Sequence, residues 1–137
     1  MEFEVNYLAV FLAALSAFFL GFVWYTLLFS KPWQKEIGMK ADSKETKEAM
    51  QQSNMAKILI GSFVLELIMA FNLAAFIGTD ADWMFGLMAG LAAGFGWVGL
   101  SFGVNYMFEG RSFRLWWINT GYVTVMFAVM GLIIGAM

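Results

Sequence analysis

The chain contains no cysteine and no histidine, and a single proline among its 137 residues. Without cysteine there is no disulfide framework, no thiol nucleophile and no thiolate ligand for a metal. Without histidine, zinc and haem sites and general-base arrangements lose their commonest donor. No metal and no cofactor is therefore expected, and no nucleophile–base pair marks an enzyme. Charge is scarce as well, at 13% of residues, where an ordinary soluble domain carries about a quarter. Apolar residues make up 61% of the chain, and the mean hydropathy is +0.73. These proportions exclude a soluble globular domain and point to a bilayer, with membrane lipid as the surrounding partner. The net charge of -2 gives no basic patch for a nucleic acid.

The few charges mark boundaries. Uncharged runs extend from Val5 to Ser30, from Ile58 to Thr79 with one carboxylate inside, from Trp83 to Phe108 and from Leu115 to Met137. Each exceeds the roughly 20 residues a membrane-spanning helix needs. Strand-like alternation is missing, so a barrel is excluded and the fold expected is all-α, one domain, a four-transmembrane-helix bundle. Six lysines, from Lys31 to Lys57, lie between the first two spans, and Arg111 and Arg114 lie between the last two. The opposite ends carry Glu2, Glu4, Asp80 and Asp82. By the positive-inside rule both basic loops are cytoplasmic and both termini lie on the non-cytoplasmic side. The acidic Met1-Glu2-Phe3-Glu4 start and the long apolar run after it do not read as a signal peptide, although Ala14-Leu15-Ser16-Ala17 loosely mimics a cleavage site. In the loop of about residues 31–57, Pro32 is expected to stop the first helix, and Asp42 with Glu45 suggests a short amphipathic helix from about Ser43. Its lysines alternate with acids, so a solvated face is expected rather than a lipid-binding one.

Glu66 interrupts the second run, nine residues from Lys57 and fourteen from Asp80. At about 1.5 Å per residue it falls near the middle of a hydrocarbon core roughly 30 Å thick. A carboxylate there is costly unless it is neutral, paired or turned to a wet cavity, and a functional site is the default expectation. Counting to the same depth on the other spans brings Ser101, Tyr122 and Thr124 to its level, and Ser62 lies one turn away on its own helix. A carboxyl among hydroxyls suits a proton or cation site; a protonated Glu66 that merely bonds a neighbouring helix is the structural alternative.

A second polar set lies toward the cytoplasmic ends: Trp24, Tyr25, Asn105, Tyr106, Glu109, Arg111 and Asn119. Fixing helix ends is the first reading and lining a vestibule the second. Trp97 falls deeper and is expected to pack inside. Small residues recur every fourth position, at Ala9, Ala13, Ala17 and Gly21 in the first span, and at Gly86, Gly90 and Gly94, then Gly99 and Gly103, in the third. Such stripes let helices approach closely. The third span's glycines fall on more than one face of an α-helix, which suggests a homo-oligomer with that span buried centrally. Eleven methionines scatter without a spacing that would hold copper. Gly21-Phe22-Val23-Trp24 is echoed by Gly94-Phe95-Gly96-Trp97 in a span of the same direction, a hint of two hairpin repeats.

Four motifs carry a resemblance: Gly21, Trp24-Tyr25, Phe29 and Lys31-Pro32-Trp33; Asn54-Met55-Ala56-Lys57; Asn105-Tyr106-Met107-Phe108-Glu109-Gly110-Arg111; and Ile118-Asn119-Thr120-Gly121-Tyr122. Over nearly its whole length the chain resembles the integral-membrane family called domain of unknown function 1761. It departs from the family pattern at Thr26-Leu27 and Val123-Thr124, where relatives have a proline and a histidine. The resemblance implies a small four-helix protein of a bacterial inner membrane and no established activity. It marks Trp24, Tyr25, Asn105, Glu109, Arg111, Asn119 and Tyr122 as motif positions. Two functions are left open: an oligomeric transport or permeation protein with Glu66 as its proton or cation site, and a non-catalytic structural or accessory membrane protein.

Overall fold

The computed structural model describes residues 5–36 and 55–137. Four of its helices are long and apolar enough to cross a bilayer: Tyr7–Leu28, Ala56–Ile77, Trp83–Glu109 and Phe113–Ala136. The first span consists of α1 (Tyr7–Phe22) continued by a π-helical turn, Val23–Leu28, and is followed by the short α2 (Ser30–Glu36). The second is α3 (Met55–Ile77). The third is broken into α4 (Trp83–Leu91), a π-helical stretch (Ala92–Gly99) and α5 (Leu100–Glu109). The fourth is α6 (Phe113–Ala136). The amphipathic helix expected from about Ser43 lies outside the described residues.

Local chemistry sets the ends. Asn6, Asp82 and Ser112 each accept a backbone N–H in the first turn of the helix that follows, at 3.2, 2.8 and 3.1 Å. These side chains satisfy donors that the helix itself leaves without partners. Gly78 and Gly110 take left-handed conformations, φ 78° and 70°, just past the second and third spans, where a residue with a side chain would be strained. Pro32 is not the stop of the first helix. That helix breaks at Phe29, φ -124°, and Pro32 sits in the opening turn of α2, where its missing N–H has no helical partner to lose.

The fourth span is the hub, packed against each of the other three. Of its most apolar stretch 44% is buried, against 17% to 28% in the others, so within the chain the centre is the fourth span and not the third. Alanines of the first span (Ala9, Ala13, Ala17) and the second (Ala70, Ala74) form the core with Met126, Met130 and Ile134 of the fourth.

The third and fourth spans approach backbone to backbone. A Cβ added at Gly86 would stand 2.1 Å from the Gly131 carbonyl oxygen, and one at Gly90 2.0 Å from that of Phe127. Gly94 and Gly99 continue the same seam against Val123 and Thr120, and Gly103 meets Trp116. These five glycines thus share one face, not several. Along an unbroken α-helix the five-residue step from Gly94 to Gly99 would turn about 140° away from the seam. The π-helical stretch, with its wider i→i+5 turn, absorbs that step. It also turns Trp97 outward: this side chain is 71% exposed, not packed inside as its depth suggested.

Candidate functional site

Glu66 is buried, 8% exposed, on the inner face of the second span. The Tyr122 hydroxyl of the fourth span lies 3.2 Å from its Oε1 and 3.1 Å from the Ala17 carbonyl oxygen of the first. Three spans therefore converge on one phenolic oxygen. Gly21 clears the space, since a Cβ there would stand 2.9 Å from that oxygen.

The hydroxyl has one hydrogen and two acceptors in reach. If Glu66 is ionised, Tyr122 can donate to only one of them. If Glu66 carries a proton, the carboxyl donates to the phenolic oxygen, Tyr122 donates to Ala17, and both contacts are complete bonds. The geometry is fully used only by the neutral carboxyl. Its second oxygen, Oε2, is buried with no partner among the described residues, which is far less costly for a neutral group than for a carboxylate.

The second polar set joins this site. The Tyr25 hydroxyl donates to Asn119 Oδ1 at 2.6 Å, and Asn119 Nδ2 donates to the Tyr106 hydroxyl at 2.7 Å. Asn119 bridges helices instead of capping one. Tyr122 stands three residues further on the same face of the fourth span, and its ring packs edge-on against Tyr25 with centroids 5.2 Å apart. Trp24 also packs on Tyr122, with centroids 6.5 Å apart, and donates its indole N–H to the Ile118 carbonyl at 3.0 Å. Gly121 leaves room for that indole, whose ring would stand 3.0 Å from an added Cβ. The π-helical turn of the first span, carrying Trp24 and Tyr25, is thus seated on the Ile118–Tyr122 segment of the fourth. Within the turn, the Thr26 hydroxyl donates to the Phe22 carbonyl.

Other expected members lie elsewhere. Ser101 and Asn105 are exposed on the outer side of the third span. Depth counting gave their level but not their direction. Thr124 is two residues beyond Tyr122, about 200° round the helix, with its Cα beside Gly94 and its hydroxyl buried without a partner among the described residues. Ser62 is half-buried one turn before Glu66, and Tyr122 supplies the carboxyl's only hydrogen bond among the described residues. Glu109 and Arg111 form an exposed local pair at 2.7 Å, apart from the cluster. One participant carried no signal in the sequence: the Ala17 carbonyl, which any residue would provide. Thr120, 1% exposed, lies against Gly99 on the third-span seam, its hydroxyl without a partner among the described residues. Among the described residues no cluster of three or more acidic side chains could hold a metal.

No curated protein and no solved structure matches the chain. A family model described as "Protein of unknown function (DUF1761)" matches residues 8–135. The motifs that interlock around Tyr122 lie inside that match, and the chain belongs to the DUF1761 family.

Proposed function

We propose that this is a non-enzymatic transport or permeation protein in which Glu66 takes up and releases a proton during the cycle. The observation that carries the reading is the single Tyr122 hydrogen between two acceptors. Loading or removing a proton at Glu66 changes which span Tyr122 is bonded to. A structural reading draws on the same convergence, since a permanently neutral Glu66 would simply tie three spans together.

Glu66→Gln separates the two. A glutamine N–H can donate to the Tyr122 oxygen as a neutral carboxyl does, so the fold should keep its stability to within about 1 kcal/mol. In proteoliposomes carrying an internal pH dye, the proton-handling reading expects the wild type to speed the collapse of an imposed pH gradient and Glu66→Gln to lose that effect. Equal collapse rates for the two, with a carboxyl infrared band that never titrates, would leave only the structural reading.

We also propose that Asp80 faces outward and Arg114 the cytoplasm, from the one-sided placement of the basic residues. The chain has no cysteine, so single replacements can be read directly. In intact cells, Asp80→Cys should react with a membrane-impermeant maleimide and Arg114→Cys should react only after lysis. The opposite pattern would invert the topology.

A further inference from the structure

The second and third spans follow one another in the chain yet touch only lightly. Between them lies a recess of about 420 Å³, floored by Phe127 of the fourth span and walled by Leu73, Ala89, Ala93 and Val98. We propose that this recess binds a neutral lipophile bearing a carbonyl group, drawn sideways from the bilayer. The inference is independent of the role of Glu66, which does not line the recess.

Volume and chemistry both bear on the occupant. Small-molecule sites enclose about 300–1,000 Å³, mostly apolar with a few polar groups that fix orientation. Here the polar groups are Asn72 and Trp97. Among the described residues, neither the Asn72 amide nor the Trp97 indole N–H has a hydrogen-bond partner. Trp97 stands fourteen residues from Trp83 and twelve from Glu109, near the middle of the span, where water offers no acceptor. Unmet donors at that depth are costly.

An acyl chain would fill the volume and leave both donors unmet. The ester carbonyls of a phospholipid ride at the interface, about 15 Å from the bilayer centre, so they cannot reach Trp97. The matching molecule sinks its own acceptor into the hydrocarbon: uncharged, largely apolar, with a carbonyl. A second copy of the chain fits less well. A helix about 10 Å across covers a face and does not fill a recess, and the third span's seam glycines are already turned to the fourth span.

The test uses the full chain in dioleoyl-phosphatidylcholine bilayers with decyl-benzoquinone as probe. Its ring carbonyls accept hydrogen bonds, and it quenches indole fluorescence on contact. The Trp97 signal is wild type minus Trp97→Phe. Quenching of that signal should saturate, with the half-saturating concentration about tenfold higher in Asn72→Leu and saturation abolished in Ala92→Phe, which sets a bulky ring in the lining of the recess. Quenching that rises linearly with quinone and is the same in both variants would overturn the site. So would a cross-link between the Trp97 regions of two chains that persists at saturating quinone. Should Ala92→Phe fail to fold, Asn72→Leu, close to isosteric, decides alone.

Discussion

Replacing Gly90 with valine is expected to destabilise the bundle by about 3 kcal/mol, the upper part of the range for overpacking a tight interface. The obstacle is backbone. An added Cβ would stand 2.0 Å from the Phe127 carbonyl oxygen and 3.0 Å from the Ala128 Cα, and neither atom can swing aside as a side chain would. The third and fourth spans must part, and in lipid no hydrophobic force restores them, because the tails outside are as apolar as the side chains inside. The internal control is Gly96→Ala, two residues beyond the seam's Gly94 and free of any neighbour within 4 Å of its Cβ position. This change should alter stability by less than about 1 kcal/mol, in the direction of the better helix former. Equilibrium unfolding in mixed micelles, followed by tryptophan fluorescence, compares the two. Equal shifts would mean the seam is looser than its distances state.

Tyr122→Phe is expected to cost about 1–3 kcal/mol, because it leaves the Glu66 carboxyl buried with no partner and removes a bond to Ala17. The ring contacts with Trp24 and Tyr25 survive the change, so the loss reports on the hydroxyl. A double-mutant cycle with Glu66→Leu isolates the pair. Once the carboxyl is gone, removing the hydroxyl should cost less, and the two single effects should exceed the double by about 1 kcal/mol. In the single variant, the infrared carbonyl band of Glu66 should move toward that of an unbonded acid. Strict additivity with an unmoved band would break the proposed link between the two groups.

The spans were legible because charge is so rare that each charged residue marks an end. The third span begins at Trp83, the first residue of its uncharged run, and the fourth at Phe113 behind its Ser112 cap, two residues before the run that starts at Leu115. Depth counting put Ser101, Tyr122 and Thr124 alike near the level of Glu66, since rise per residue is nearly constant along a helix. It did not say which of them meets the carboxyl; in the structure it is Tyr122. Direction around the helix was harder to read. Ser101 and Thr124 share roughly the level of Glu66 but point elsewhere, and nothing in a depth count reveals that. The two polar sets looked separate because Tyr25 and Tyr122 lie 97 positions apart in the sequence, and only the packing of the first span on the fourth brings their rings together. The outward turn of Trp97 was hidden by assuming an α-helical ruler throughout. The clue was present in the glycines, whose steps of four are broken by a single step of five between Gly94 and Gly99.

That step bears on how such chains are compared. Alignments of membrane helices usually forbid gaps inside a span, on the view that one inserted residue rotates everything after it. Where a π-helical stretch takes up the extra residue, the face beyond it keeps its heading. Between Ala92 and Gly99 a one-residue gap is geometrically neutral, and an alignment that refuses it would set Gly99 and Gly103 of this chain against outward-facing positions of a relative built on an unbroken helix.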